Sequence, residues 1–144
     1  MRTASGQRRA GLTLIELAIV VTLIGMLTMV AMPRIAVLTA RLSLRAASDD
    51  VRTALAIGRS LAVRRGEYVA FVGDAAHGRI RIVSGVDTLF TRDLAPHGVT
   101  LTLTRDSITW APNGQGWGAA NTTITLARRG GADTITVSRL GRVR

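Results

Sequence analysis

The feature that most constrains this chain is an apolar run near its N-terminus. From Leu12 to Met32 the run spans 21 residues and contains one charged side chain, that of Glu16. As a helix rising about 1.5 Å per residue, it would be about 31 Å long, enough to cross the hydrocarbon core of a bilayer. The apolar core of a cleaved secretory signal is shorter, about 7–15 residues. A membrane-spanning helix is therefore favoured, with an ordinary signal peptide as the alternative.

Glu16 requires an explanation, because a carboxylate inside a membrane span costs about 2.5–3.5 kcal/mol. Two explanations stay open. The side chain can reach the interface from the helix start, where the positive end of the helix favours it. Alternatively, cleavage after Gly11 would create an α-amine at Leu12, one helical turn away. That amine, or the same amine of a neighbouring subunit, could pair with Glu16.

Composition excludes several kinds of catalytic site. The chain has no cysteine, which excludes disulfides, thiolate metal sites and cysteine nucleophiles. His77 and His97 each lie beside a glycine in a predicted turn, a position typical of solvated histidines. Asp49 and Asp50 are adjacent, so on a helix their carboxylates point in different directions. Common hydrolase, metalloprotease and nucleotide-binding motifs are absent. We therefore expect no enzyme activity, no catalytic residue, no metal and no cofactor.

The charge is strongly basic and is carried entirely by arginine. The net charge is +10, and all 19 basic residues are arginine. Arginines flank the apolar run on both sides, so the charge pattern leaves the membrane orientation open. The segment 128–144 holds five arginines and only one acid, Asp133. The planar guanidinium group suits phosphates and carboxylates, so this segment is a candidate anion-binding region.

Beyond Pro33, which could break or kink a helix, the sequence predicts an amphipathic helix over 34–65. Apolar and small residues recur at three- and four-residue steps and form a stripe about 80° wide. The stripe consists of Leu44, Ala47, Val51, Leu55, Gly58 and Ala62. A second set forms an arginine ridge of Arg34, Arg41, Arg45, Arg52 and Arg59. The ridge is either a solvated face or a surface for acidic groups of neighbouring subunits. Gly66 is the predicted helix end.

After Gly66 the apolar period changes to two, which predicts an antiparallel β domain. Hairpins are predicted from the strand pairs 68–72 with 79–83, 89–94 with 99–104, and 122–126 with 134–137. A further short strand is predicted at 107–110. The glycine-rich stretch 110–118 predicts turns, because a phosphate cradle would need a following helix. The fold class is α+β: a long N-terminal helix, membrane-spanning in its first half and amphipathic in its second, packed on an antiparallel β domain.

The N-terminal residues resemble the class III leader of type IV pilins and type II secretion pseudopilins. The matching residues are Arg8-Arg9-Ala10-Gly11, then Leu12-Thr13-Leu14-Ile15-Glu16, then the apolar run. The resemblance implies that a prepilin peptidase cleaves after Gly11 and methylates Leu12. It also implies that Glu16 sets the register against a neighbouring subunit and that Pro33 kinks the helix. The expected segments are a leader (1–11), a transmembrane and filament-core helix (12–33), its amphipathic continuation (34–65) and the β domain (66–144).

A second resemblance lies in the C-terminal part of the chain. Trp110, Pro112 and Gly114, followed by a hairpin and by Gly141-Arg142-Val143-Arg144, are similar to the GspH/FimT family of pilin-like proteins. The resemblance implies a minor subunit of a filament assembled at the bacterial inner membrane, with a periplasmic globular domain, and type II protein secretion as its leading role. The implied partners are other pilins or pseudopilins, the prepilin peptidase, the inner membrane and secreted substrates.

DNA uptake is the alternative function. In the type IV pilus branch of the family, a Gly-Arg-x-Arg motif near the C-terminus accompanies DNA binding. If the segment 141–144 is extended, Arg142 and Arg144 project to one side. Arg139, Arg128 and Arg129 are expected near them. These arginines have no adjacent aromatic residue, which favours phosphate contacts over base stacking. A solvated basic tail without a ligand is the remaining possibility.

Overall fold

The structure, a computed structural model, describes residues 13–118, 122–138 and 140–144 of the chain. The chain divides into two compact units, Met1–Ala36 and Val37–Arg144. Helix α1 runs from Leu14 to Arg65 and contributes to both units. Every other element of the described residues belongs to the second unit.

In the first unit, α1 begins with a local cap. The hydroxyl oxygen of Thr13 accepts a hydrogen bond from the backbone N–H of Glu16 at 3.3 Å, and Thr-x-x-Glu is the sequence pattern of a capping box. The hydroxyls of Thr22 and Thr28 donate to the carbonyls of Ala18 and Ile24. The side chains from position 14 to position 32 are exposed. By length and composition, this part of α1 could cross a membrane.

The helix continues through Pro33. Of the two possibilities for this proline, a break is therefore wrong, and a kink stays a prediction. Pro33 has no N–H, so the carbonyl of Met29 has no backbone donor four residues later.

In the second unit, the predicted apolar stripe of α1 is confirmed. All six of its residues are buried, and Ser48 and Ala54 are buried with them. The helix ends at Arg65, where the N–H of Gly66 donates to the carbonyl of Ala62 at 3.0 Å. Gly66 has a φ of +66°, a left-handed conformation that ends helices and favours glycine. The predicted end of the helix is also confirmed.

The stripe packs against two antiparallel sheets. The eight strands are β1 (Val69–Asp74), β2 (Arg79–Ser84), β3 (Asp87–Asp93), β4 (Thr100–Leu103), β5 (Ser107–Trp110), β6 (Gly116–Trp117), β7 (Thr122–Arg128) and β8 (Gly131–Val137). The larger sheet has the order β3-β2-β1-β5-β6, and the smaller one β4-β7-β8. Buried residues alternate along β1 and β7, as expected for strands with one face on a core. The predicted α+β class is confirmed.

The predicted pairing of 89–94 with 99–104 is wrong. Strand β3 pairs with β2, and β4 pairs with β7 in the other sheet. Between them lies a short 3-10 helix, Ala95–His97, which ends at Gly98 with a φ of +60°. The turn that joins β2 to β3 contains Gly85, with a φ of +58°. This turn is short enough for a hairpin, whereas the 3-10 helix carries the chain from one sheet to the other.

Trp110 of β5 lies in the contact between α1 and the larger sheet. Its side chain is fully buried. A Cβ at Gly58 would lie 2.7 Å from Trp110 Cζ3, so the helix approaches the indole as closely as a glycine allows. The core therefore contains a large aromatic ring opposite a residue without a side chain, an arrangement that maintains close packing.

Candidate interaction groove

Ser138 and residues 140–144, called the tail from here on, fold back along β8. The N–H of Gly141 donates to the carbonyl of Ser138, and the N–H of Ser138 donates to the carbonyl of Arg142, both at 2.8 Å. Thr136 and Arg144 exchange two backbone hydrogen bonds of 2.9 Å, and Val143 forms an antiparallel bridge with Val137. The tail is thus a short extra strand at the edge of the smaller sheet, which agrees with the extended tail considered from the sequence.

Gly141 allows the tail to close on the core. Its φ is +73°, and a Cβ there would lie 3.2 Å from the carbonyl oxygen of Gly114 and 3.4 Å from Trp110 Nε1. Both the backbone conformation and the space favour glycine. The first residue of the Gly-Arg-Val-Arg motif therefore has a structural role. Gly114 lies in the turn between β5 and β6, where its N–H donates to the carbonyl of Ala111, so the predicted turn geometry of this stretch is confirmed.

A groove of about 710 Å³ lies between the tail and one end of α1. We call it the tail groove. Its apolar part is formed by Leu55, Ala56, Val63 and Val143, and its arginines are Arg59, Arg64, Arg142 and Arg144. Ser60 and Gly141 complete the lining. None of these lining residues has an acidic side chain, so the tail groove combines an apolar surface with four positively charged side chains.

The arginines of the tail groove differ in how they are held. Arg59 donates from Nε to the carbonyl of Gly114 at 2.9 Å, which fixes its side chain beside the tail. Arg142 and Arg144 are exposed. The hydrogen bonds between the tail and β8 hold their backbones in place, so both arginine side chains project from a fixed strand. Sequence reasoning placed Arg59 on the arginine ridge and did not consider Arg64. The sequence does not show that the tail returns to α1, so Arg59 and Arg64 could not be related to the tail.

The other predicted arginines are not part of this groove. Arg128 donates to the carbonyl of His97, and Arg129 lies in the turn that joins β7 to β8. The tail lies beside the last residues of β8, whereas this turn precedes its first residue, Gly131. The seven-residue strand separates them, so the expectation that Arg128 and Arg129 lie near Arg142 and Arg144 is wrong. Arg139 lies outside the described residues.

The predicted assembly residues all fall within the range of the first unit, Met1–Ala36. Gly11 and Leu12, the expected cleavage and methylation positions, lie outside the described residues. Glu16 is exposed in the first turn of α1, where the unpaired N–H groups of a helix favour a carboxylate. Thr13, its capping partner, was missed by the sequence reasoning, although the spacing Thr-x-x-Glu was a signal for it.

The two histidines lie in different surroundings. Within the described residues, no group of three or more His, Asp or Glu side chains could hold a metal ion. His77 is exposed and contacts Asp74 three residues before it, at 2.8 Å, in agreement with a solvated turn histidine. The same expectation was wrong for His97. Its side chain is 25% exposed, and its Nε2 lies 2.9 Å from a carboxylate oxygen of Asp50 on α1.

Asp50 links α1 to the larger sheet as well. Arg92 of β3 donates to it at 2.6 Å. The hydrogen bond from Arg92 holds the pKa of Asp50 below its ordinary value, and the bond to His97 lowers it further, against the opposing effect of burial. This carboxylate thus joins three elements through side-chain hydrogen bonds, and its charge stabilises the folded state through the ion pair with Arg92.

Comparisons with known proteins agree with this architecture. The sequence model of the GspH family, described as type II transport protein GspH, matches residues 47–141. The type IV minor pilin FimU of Pseudomonas aeruginosa is similar in structure, with a TM-score of 0.65, 19% sequence identity, and coverage of 74% of this chain and 90% of FimU. EpsH, the minor pseudopilin of the type 2 secretion system of Vibrio cholerae, has a TM-score of 0.56, 12% identity, and coverage of 71% of this chain and 94% of EpsH. No curated protein matches the chain.

The chain belongs to the GspH family of pilin-like proteins. The family match covers most of the second unit, which confirms the family expected from the sequence. At 12–19% identity, the two solved structures establish the shared fold. Minor pseudopilins of this kind are filament subunits that assemble with other pilins. A long apolar N-terminal helix fits a subunit anchored in the inner membrane with a periplasmic domain.

Replacing Asp50 by Asn is expected to lower the free energy of unfolding by about 0.5–1 kcal/mol near neutral pH, a modest value because Arg92 is half exposed. The folded-state pKa of Asp50 is lowered. Its contribution is therefore full above the ordinary aspartate pKa of about 3.9 and disappears as the pH falls through the folded-state value. Urea unfolding of the full chain in detergent, measured at several pH values, should show the difference from wild type shrinking in acid. Asp49→Asn, an exposed neighbour, is the control, and a difference that does not change with pH would contradict this assignment.

Replacing Gly141 by Ala is expected to release the tail from β8. The positive φ costs about 1–2 kcal/mol for a residue with a Cβ, and the new methyl group also meets the carbonyl of Gly114. Amide hydrogen exchange should become faster at Thr136 and Arg144, whose N–H groups form the tail pairing. Gly130→Ala is a matched control, because Gly130 has a φ of +85° but open space around its Cβ position. Equal protection of the tail in both variants would contradict a special role for Gly141.

Proposed function

We propose that this chain is a minor pseudopilin of a type II protein secretion system. The match of residues 47–141 to the type II transport protein GspH family carries the proposal. The apolar half of α1 supports it. Leu14 is 87% exposed and Met29 82% exposed, and such a continuous apolar surface needs lipid or other apolar helices around it. A filament assembled from the inner membrane provides both environments in turn.

The proposed maturation starts at the leader. A prepilin peptidase removes residues 1–11 and methylates the new N-terminus at Leu12. A hydrophilic leader with three arginines would keep this end of the chain out of the bilayer, so its removal precedes assembly. The new amine of one subunit then pairs with Glu16 of a neighbour. The capped first turn presents Glu16 at a fixed position on the helix, which suits a residue that sets the register.

The proposed partners follow from this arrangement. The apolar half of α1 packs against the helices of other pilins, and the second unit lies outside the membrane, on the periplasmic side. Its surface is then available to other subunits and to secreted substrates. The expected site chemistry is binding and alignment, since the family and its structural relatives are pilin subunits rather than enzymes.

DNA uptake through a type IV pilus is the second candidate. The observation that favours it is the position of Arg142 and Arg144, which are exposed and share the tail groove with Arg59 and Arg64. Arg128 is less available to contact DNA, because its guanidinium group donates a hydrogen bond to the carbonyl of His97. A DNA site on this chain would therefore use the arginines of the tail and of α1.

The two functions can be separated in a strain that lacks this chain. For a secretion pseudopilin, exported proteins should accumulate in the periplasm, the wild-type chain should restore their release, and transformation by added DNA should not change. The variant Arg142→Ala/Arg144→Ala, expressed in the same strain, measures the contribution of the tail to each process. Loss of transformation with normal secretion would overturn the secretion role in favour of DNA uptake.

Replacing Glu16 by Ala is expected to leave cleavage and membrane insertion intact but to reduce assembly. The neutral side chain removes an insertion cost, whereas a neighbour's amine left without its partner in the filament core costs about 3–5 kcal/mol. Mass spectrometry of the membrane fraction should find a chain that begins at Leu12, and crosslinks to other pilins should decrease.

Glu16→Gln serves as the matched variant, because it keeps the shape of the side chain and removes the charge. Both variants should assemble poorly if the charge sets the register. Crosslinking of either variant at the wild-type level would contradict the pairing with Leu12, and a chain that begins at Met1 would contradict leader removal.

A further inference from the structure

The outer edge of the tail is an unpaired strand edge. Thr136 and Arg144 exchange both of their backbone hydrogen bonds. In an antiparallel pair, the next residue along the strand then points its N–H and C=O away from the partner strand. Val143 is that residue. Among the residues that the structure describes, none forms a hydrogen bond with the backbone of Val143. The tail therefore offers one free donor and one free acceptor on the side away from β8.

The side chains of the tail alternate between two environments. Val143 is partly buried and packs against the hydrophobic core. Arg142 and Arg144 are exposed and, by strand alternation, project from the opposite face. A strand added along this edge would have the same alternation. Its residue opposite Val143 would face apolar surface, and the residues on either side would face the two guanidinium groups.

The tail groove has room beside this edge. It is bounded by the tail and by residues 55–64 of α1, and its volume of about 710 Å³ lies in the range of peptide and ligand sites. Leu55 and Val63 provide apolar surface on the helix side. Val63 is a large apolar side chain and is 53% exposed, although its neighbour Ala62 is fully buried in the core. Arg59 and Arg64 add positive charge on the same side.

We propose that the tail groove binds an extended acidic segment of another protein, which adds as a strand to the tail. The segment has the pattern acidic–apolar–acidic, complementary to Arg142-Val143-Arg144. Its apolar residue covers Val143, and its carboxylates pair across the strands with the two arginines. Its backbone hydrogen-bonds to the free N–H and C=O of Val143, in the manner of strand addition at a sheet edge.

Charge and surface chemistry select this occupant over two others. A second copy of the chain is disfavoured, since each copy carries a net charge of +10 and like charges repel. The phosphates of a nucleic acid could pair with the arginines. Phosphates and sugars are polar, however, so they would not pack against the apolar surface of Leu55, Val63 and Val143. The free N–H and C=O of Val143 can form hydrogen bonds with the backbone of another peptide, which favours a protein segment.

Binding can be measured with a short synthetic peptide that has a central Glu-Val-Glu, labelled for fluorescence anisotropy, and the full chain in detergent micelles. Wild type should bind the peptide. Arg142→Ala/Arg144→Ala should weaken binding about tenfold or more, as expected for the loss of two charge-assisted contacts. The matched control is Arg79→Ala/Arg81→Ala. These exposed arginines form an Arg-Ile-Arg sequence on β2, which lies between β3 and β1 and has no free edge, so binding should not change.

Strand addition is tested separately from charge by Val143→Pro. Proline keeps an apolar residue and all the arginines, and the N–H that it removes is not used in the pairing with β8. Binding should fall about tenfold while amide protection at Thr136 and Arg144 stays. If the variant loses that protection, a peptide that carries an N-methyl group on its central valine tests the backbone contact from the ligand side, with the wild-type chain.

Three results with the peptide would overturn the assignment, and a fourth would come from competition with duplex DNA. One is no binding of the peptide by wild type. Another is equal weakening in the Arg142/Arg144 and Arg79/Arg81 variants, which would mean general charge attraction. The third is unchanged binding with both Val143→Pro and the N-methylated peptide. Duplex DNA is the competitor: if it displaces the peptide and binds tightly without any effect of Val143→Pro, the groove is a nucleic-acid site. Since binding is measured on the isolated chain, its failure leaves the proposed secretion role untouched.

Discussion

The contact of two glycines with Trp110 is the interaction on which the second unit depends. Gly58 brings α1 against one part of the indole, and Gly141 brings the tail against another. At Gly58 a Cβ would lie 2.7 Å from the ring, so the helix could not keep this position with any other residue. Because α1 and the tail both pack against the same indole ring, the ring sets the distance between α1 and the tail. The tail groove between them is thus a consequence of core packing rather than of the surface residues that line it.

The sequence patterns predicted the elements better than their pairing. The six-residue stripe of α1 and the end at Gly66 were predictable, because helical periodicity and a C-terminal glycine are local signals. The hairpins β1–β2 and β7–β8 were predictable for the same reason. The pairing of β3 with β2 was missed because Val86 and Asp87, which follow the turn at Gly85, do not continue the apolar alternation. Which sheet a strand joins depends on contacts distant in sequence.

The same limit applies to the candidate site. The extended form of Arg142-Val143-Arg144 was considered as a possibility, and the structure has it. Arg128 and Arg129, which were expected near it, lie at the opposite end of β8. Arg59 and Arg64 could not be assigned to the site at all, because more than seventy residues separate them from the tail in the sequence. His97 was taken for a solvated residue, since its neighbour Gly98 marks a turn. Its contact with Asp50 depends on where the 3-10 helix lies relative to α1, which no local pattern reveals.

The hydroxyl bonds of Thr22 and Thr28 have a mechanical consequence. Each hydroxyl is used within its own helix, so neither needs a partner from a neighbouring helix. Between Leu14 and Met32, Glu16 is the single charged residue, and the remaining surface offers only non-directional van der Waals contact. Two such helices could slide or rotate against each other without breaking hydrogen bonds, except at the level of Glu16, where the proposed pairing with a neighbouring amine would resist the movement. A bundle of these helices would therefore extend easily along its axis, and its resistance to extension would be concentrated at the level of Glu16.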